Sequence, residues 1–330
     1  MKNYNKLPNG NRLKELLLLF VLSTVFLACE QEMPEEPLTS ADASVHSLNT
    51  VKVTSTGMNF DAPDEIPSGW TTFRFQNKTG MVHFFVLQKL PGDKTLQNSL
   101  EEVVPFFQSG MDYYREGDLA NAFGAAGFGN LPAWYGDIVM SGGPGLVSGG
   151  HTGTTSVYLD PGTYVIECYV KSPDGKFHSF MGMIDQIVVT EETGSTKEPD
   201  SDLSVTIGTS TGIELEKAPK RPGRHTFAVD VLDQATYGNL LQHDVHLVKV
   251  EEGGDRELLN KWINWIYLDE EMEGFVAPAP SGFTFIGGLQ EIPAGKRGYF
   301  TAVLTPGDYV LISEVDDPMG KGLYAEFEVR

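Results

Sequence analysis

Beyond residue 50 the chain is written largely in short alternating segments. In "TYVIECYV", Tyr164, Ile166, Cys168 and Val170 fall on one face, which should be the core face, and Glu167 falls outside. "TTFRFQN", "VHFFVLQKL", "TSVYLD" and "DQIVVT" are short, β-branched or aromatic, and bounded by Gly, Pro or Asp. "DPGT" and "TPGD" are tight turns. Helical spacing occurs in two places. Leu96, Leu100, Val103 and Phe107 share it, with Pro105 expected to end or kink the helix. Leu258, Leu259, Trp262, Ile263 and Ile266 share it again. Many strands with little helix predict an all-β chain of two tandem β-sandwiches, Greek-key in type, each with a short helical insertion.

The pattern is used twice. Residues 142–176, "GGPGLVSGGHTGTTSVYLDPGTYVIECYVKSPDGK", align without a gap to residues 287–321, "GGLQEIPAGKRGYFTAVLTPGDYVLISEVDDPMGK". Gly142/Gly287, Leu159/Leu304, Pro161/Pro306, Gly162/Gly307, Tyr164/Tyr309 and Gly175/Gly320 match. Upstream, "VHFFVLQKLPGD" matches "VHLVKVEEGGD" with one deletion, which pairs His83 with His246. The first copy is longer in the middle, by "GMDYYREGDLANAFGAAGFGNLPAWYG" or part of it. The division read from this is a first domain over 50–189, a polar, turn-rich linker over 190–203, and a second domain over 204–330.

The start of the chain sets the compartment. Lys2, Lys6, Arg12 and Lys14 precede an apolar run from Leu16 to Ala28, too short to span a bilayer as a helix. The run ends in "FLAC", which resembles a bacterial lipobox, with Phe26 where Leu is usual. The resemblance implies a lipoprotein signal over 1–28 and lipidation of Cys29, hence a protein anchored to the membrane without crossing it. Residues 29–49 hold that cysteine and a Pro-, Ser- and acid-rich segment that reads as a disordered tether, with a reach of about 25 Å. The expected location is the bacterial cell envelope, on the periplasmic or the surface face of the outer membrane.

Charge and cysteine count narrow the function. The net charge of −21 repels nucleic acid and leaves a basic partner possible. The chain has two cysteines. With Cys29 committed to lipid, Cys168 has no disulfide partner within the chain. In an oxidising envelope such a thiol survives when buried or metal-bound.

"CYVKSPDGKFHSFMGM" places His178 and Met183 beyond a turn after Cys168, so that the three side chains can converge. His83, in "NKTGMVHFFVL", stands on a distant strand suited to a fourth ligand. Two imidazoles, a thiolate and a weak thioether form the donor set of a blue-copper site. The segments "FRFQN", "VHFFVL", "LDPGTYVIECYV" and "HSFMGM" resemble the cupredoxin family, especially cupredoxin-like domains of bacterial envelope proteins with a "PDGxxH" turn between Cys and His. This resemblance implies one copper ion held by His83, Cys168, His178 and Met183, with Met181 in reserve, and single-electron transfer with a redox partner protein. Phe84 departs from the Asn usual after the first His.

In the second copy Ser313 replaces Cys168, Leu323 replaces His178, and no Met follows, while His246 and the turn residues remain. That copy reads as a degenerate module without metal. An oxidase or nitrite reductase would need a second, catalytic metal site, which the histidine count and spacing do not supply, so the chain reads as a non-enzyme. Two alternatives stay open: a metal-free binding or structural lipoprotein whose Cys168 is plain core, and a copper storage or delivery protein. His151 reads as a solvated loop residue. "SGGPGLVSGG" lacks the Lys-Ser/Thr and helix of a phosphate loop, and "FGNLPAWYG" reads as a packed lid. The lipid assignment yields the first prediction. Cys29→Ser should leave the precursor uncleaved or release the protein from membrane fractions; a processed variant that stays in the membrane contradicts it.

Overall fold

The structure is a computed structural model that describes residues 49–266 and 274–330. The leader, Cys29 and all but the last residue of the tether lie outside the described residues. Within them no helix is long and apolar enough to cross a membrane.

The first copy forms β1 (Asn49–Ser55), β2 (Glu65–Asn77), β3 (Val86–Lys89), β4 (Val139–Met140), β5 (Thr152–Leu159), β6 (Gly162–Glu167) and β7 (Ile184–Thr193). The second forms β8 (Leu203–Gly208), β9 (Gly212–Leu215), β10 (Gly223–Val231), β11 (Val245–Val250), β12 (Phe283–Leu289), β13 (Arg297–Leu304), β14 (Gly307–Ile312) and β15 (Tyr324–Val329). Pairing repeats with the sequence. β1 runs parallel to β2 as β8 does to β10. β5 lies antiparallel to β2 as β13 does to β10. β3, β6 and β7 form an antiparallel succession, as do β11, β14 and β15. The matched tyrosines also do the same work: each hydroxyl donates back four residues, Tyr164 to Asp160 O and Tyr309 to Thr305 O, both at 2.8 Å. That bond locks the "DPGT" and "TPGD" corners. The all-β class is therefore as the alternation predicts.

The copies are joined edge to edge. β5 pairs antiparallel with β13, Ser156 opposite Tyr299 and Thr154 opposite Thr301. One layer thus runs unbroken through β1, β2, β5, β13, β10, β8 and β9. Each copy keeps its own second layer, and apolar side chains fill the space between. In the first copy Phe85 lies edge-on to Phe60, Phe73 and Phe75, with centroids 5.5–5.7 Å apart. This aromatic cluster fixes where β3 begins.

Helices occur where the spacing places them. α1 (Leu96–Glu102) ends at Val103, and α2 (Val104–Arg115) begins with Pro105 in its first turn. There a missing N–H costs nothing and φ is already helical, so the proline separates two helices. α3 (Leu119–Ala122) follows, and α4 (Arg256–Trp262) is the insertion of the second copy. The "FGNLPAWYG" segment packs as a lid: Phe128 lies against Gly110, and Trp134 Nε1 donates to Glu102 at 2.7 Å. One expectation changes. Glu167 does not face water, because the insertion covers its side of β6, where Val103, Val104 and Phe107 line a cavity together with Glu167 and Gln88. Gln88 Nε2 donates to it at 2.6 Å, while burial pushes its carboxyl up to about 7.

Residues 142–148 form a strap between the copies. Gly142 O accepts from Leu87 N–H, and Gly142 N–H donates to Glu291 O, both at 2.7 Å. Gly143 has φ +128°, and a Cβ there would stand 2.1 Å from Phe85 O. Gly143→Ala should therefore destabilise the protein by about 2–4 kcal/mol. Urea unfolding measures this, and a loss under about 0.5 kcal/mol would contradict the tight approach.

Candidate metal centre

His83, Cys168 and His178 arrive from three segments and meet. His83 sits just before β3, where its N–H donates to Val147 O at 3.0 Å and its O accepts from Val147 N–H at 2.7 Å. Asn77 holds the approach to it: Nδ2 donates to Met81 O at 2.7 Å and Val147 O at 2.8 Å, and Oδ1 accepts from Thr79. Cys168 follows the last residue of β6. His178 returns after the turn at Gly175, whose φ is +83°. The loop is tied to itself at every ligand position. His178 N–H donates to Val170 O, Ser179 N–H to Cys168 O, Cys168 N–H to Met183 O, and Met183 N–H to His178 O, at 2.8–3.1 Å.

The donor atoms form a small triangle. Nδ1 of His83 and Nδ1 of His178 are 3.1 Å apart, and Cys168 Sγ lies 3.8 and 3.7 Å from them. The point equidistant from three such corners is about 2.1 Å from each, within the usual metal–nitrogen and metal–sulfur bond lengths of about 2.0–2.3 Å. All three side chains are fully buried. The chemistry of the set fits a first-row metal with affinity for both imidazole and thiolate. Met183, also fully buried, is tied by its backbone to Cys168 and His178; Met181, 42% exposed, points away from the role of reserve ligand.

Burial governs the charge here. It pushes the Cys168 thiol up to about 12, against the pull of the Phe84 and Val170 N–H groups that donate to the sulfur. It lowers His83 to about 4, and His178 to about 3 with a further contribution from His83. Without metal the site is a thiol and two neutral rings. Both Nε2 atoms lack a hydrogen-bond partner among the described residues. Metal-bound histidines usually have one; these rings are positioned by packing and by their backbone ties, with centroids 4.8 Å apart.

Several supporting residues escaped the sequence reading. Gln108 on α2 accepts from Phe177 N–H at 2.9 Å and donates to Gly175 O at 3.3 Å. Arg115 donates to Pro173 O at 3.2 Å. The insertion thus clamps the turn that carries His178. Phe84 lies edge-on to Tyr169 at 4.6 Å, so an aromatic contact joins the segments that carry His83 and Cys168.

The second copy holds a different cluster. Asp244, His246 and Glu314 are fully or almost fully buried, with ligand-type atoms within 4.8 Å of one another. His246 Nε2 stands 2.5 Å from Asp244 Oδ2 and 3.6 Å from Glu314 Oε2, neither in good hydrogen-bond alignment. Its Nδ1 accepts from Leu146 N–H at 2.9 Å. A neutral ring with Nδ1 as acceptor carries its proton on Nε2, so the nitrogen facing the carboxylates is a donor rather than a free metal ligand. Burial opposes charge on the ring and the two carboxylates favour it, but a protonated Nδ1 would meet the Leu146 N–H head on. Asp244 Oδ1 accepts from Ser313 Oγ at 2.6 Å and Glu314 N–H at 2.9 Å, and Tyr169 donates its hydroxyl to Glu314. Burial, then Asp244, pushes the Glu314 carboxyl up to about 7. Of the other histidines, His243 is buried between Tyr237 and Asp233, and His151 is exposed on its loop.

No family model matches the chain, and no curated protein does. Among solved structures, auracyanin A, a "blue" copper protein from Chloroflexus aurantiacus, is 24% identical over 43% of this chain and 98% of its own, with a TM-score of 0.26. A dithionite-reduced auracyanin from Roseiflexus castenholzii is 22% identical over 44% of this chain and 99% of its own, at 0.26. A multicopper oxidase is 12% identical over 85% of this chain and 88% of its own, at 0.20.

The desolvated rings give the metal-free protein an acid sensitivity. Their folded values lie below the ordinary 6.5, so the unfolded chain takes up protons first as pH falls. Stability is lost from about pH 6.5 downwards and levels off near 4 and 3. From pH 7 to pH 5 the loss should be about 1–2 kcal/mol per ring. A His83→Leu/His178→Leu variant should lack that part of the slope; equal slopes in urea titrations would contradict it.

Proposed function

We propose that the chain is an envelope copper protein, tethered through a lipid on Cys29, whose first copy holds one copper ion and passes single electrons to and from a partner protein. The observation that carries this reading is the triangle of two Nδ1 atoms and one Sγ, closed on every side by protein. The residues divide the work. Cys168 gives up its proton on binding and supplies the soft anionic donor that suits Cu(I). His83 and His178, already neutral, present Nδ1 without proton loss and suit Cu(II) as well. Met183 supplies a weak thioether. Bound copper contributes the one-electron redox couple. The chain's contribution is rigidity and dryness: cross-tied backbone limits rearrangement between oxidation states, and the buried ligands keep water out. In this reading the second copy, residues 204–330, holds no copper.

The visible spectrum tests it. Protein with its thiol reduced should take up one Cu(II) and develop an intense thiolate-to-copper band. Cys168→Ser should abolish the band and keep the fold, as Ser313 occupies the matching place in the second copy. His83→Ala and His178→Ala should each weaken binding and alter the spectrum. Met183→Leu should keep colour and raise the potential, because losing the thioether favours Cu(I). A colourless, copper-free wild type with a reduced thiol would sink the reading.

A further inference from the structure

The Asp244, His246 and Glu314 cluster touches the first copy at two points, and each point is one residue from the metal centre's own framework. Glu314 accepts the hydroxyl of Tyr169, the residue after Cys168. His246 Nδ1 accepts the N–H of Leu146, the residue before Val147, and Val147 exchanges both backbone hydrogen bonds with His83. The contacts are close and built in. A Cβ at position 145 would stand 2.8 Å from His246 Nδ1 and 2.9 Å from Gly287 O, so the glycine there lets the strap reach the ring. Gly287 N–H donates to Leu146 O at 2.9 Å, which fixes the strap from the other side.

We propose that the cluster is a brace: Asp244, His246 and Glu314 act as positioning residues that hold Cys168 through Tyr169, and His83 through Leu146 and Val147. The copy that lacks a thiolate thereby sets the geometry of the site in the copy that has one. Asp244 is the hub. It aligns the cluster by accepting from Ser313 Oγ and Glu314 N–H and by facing His246 Nε2. The matched position of Cys168 is thus occupied by a hydroxyl donor, Ser313, and the matched position of Tyr169 by the acceptor Glu314. Ser313 bonds Asp244 within the second copy, and Glu314 carries the link across to Tyr169 of the first. Tyr169 has a second restraint on the same ring, with Phe84 edge-on at 4.6 Å and Phe275 stacked at 6.0 Å, so its hydroxyl is delivered to Glu314 in a fixed direction.

The brace rests on the copper reading only for its purpose; the mechanical link exists without metal, and the test has an arm for each. In the first arm, metal-free protein with reduced thiol is treated with iodoacetamide under native conditions, and alkylation of Cys168 is followed by mass spectrometry. Tyr169→Phe and Glu314→Gln should each speed alkylation about tenfold, the equivalent of one hydrogen bond to a charged or strongly polar partner. The double variant should be no faster than either single one, because both remove the same link. Glu326→Gln, on β15 of the second copy and without contact to Tyr169, should leave the rate unchanged. Unchanged rates in both single variants, or multiplied rates in the double one, overturn the brace. Tyr169→Phe removes one oxygen atom and keeps the ring, so it reports even where Glu314→Gln fails to fold. In the second arm the same variants are loaded with Cu(II). The brace predicts a shifted charge-transfer band and potential with one copper still bound, in the two single variants and to the same extent in the double. Loss of the band in wild type as well would overturn the copper reading while the alkylation rates still judge the brace. Binding of Mn(II) by wild type that is abolished in Asp244→Asn would show the cluster to be a metal site and overturn its assignment as a brace.

Discussion

Val147 and His83 exchange two backbone hydrogen bonds, and the rest of the site is arranged around that exchange. It pins the first ligand to a strap that is not itself part of a long strand. The strap is held in turn by Gly142 and Gly143 against β3, by Leu146 against His246, and by Gly287 from the second copy. A single polar bond in water contributes little, but here each buried N–H or C=O would be costly without its partner. The result is a short piece of irregular backbone with no freedom to shift. This is why a segment so rich in glycine is held in place: its glycines permit close approach, and Gly142, Leu146 and Val147 each use both N–H and C=O in bonds to neighbouring segments.

The second organising constraint is desolvation. Enclosing two imidazoles and a thiol fixes their metal-free protonation more firmly than any neighbouring charge does. The first copy solves the problem with neutral groups. The second encloses carboxylates and so needs a dense set of donors: Ser313, Tyr169, a backbone N–H and the His246 ring. The two copies share a fold and one histidine position, yet their interiors have opposite chemistry. A shared sheet through β5 and β13 keeps them in one register, so bonds between the two interiors can be specific.

Much of this was legible from residue pattern alone. Alternation in "TYVIECYV" identified the core face of β6, and the order His, Cys, His, Met along the chain brought together three atoms that do meet. The repeat was legible because its turn residues, Pro161, Gly162 and Tyr164 with their counterparts, answer to local geometry that sequence encodes directly. What was not legible depended on contacts between distant segments. Nothing near Glu167 announces that α2 will cover it, since alternation reports only the strand's own two faces. Asp244 and Glu314 look like surface acids in a chain with many. Their burial follows from edge-to-edge pairing of the copies, which no periodicity records. Gln108 and Arg115 carried no signal in the sequence either, because their hold on the turn before His178 depends on where α2 lies. A search for ligands by histidine count also passed over a cluster with one histidine and two carboxylates.

The enclosure of the ligand set has a consequence in time. No ligand atom is open to solvent, and the loop from Cys168 to Met183 is cross-tied at each ligand. An ion bound there would enter or leave only when part of the chain opens, and the more firmly that part is bonded the rarer such openings are. Exchange is then slow even where binding is weak enough to be reversible. Occupancy would record what the chain met while it folded, and the concentration around the finished protein would matter little within its working life. A site closed in this way would favour a metal taken up once, during folding, over one exchanged with the surroundings.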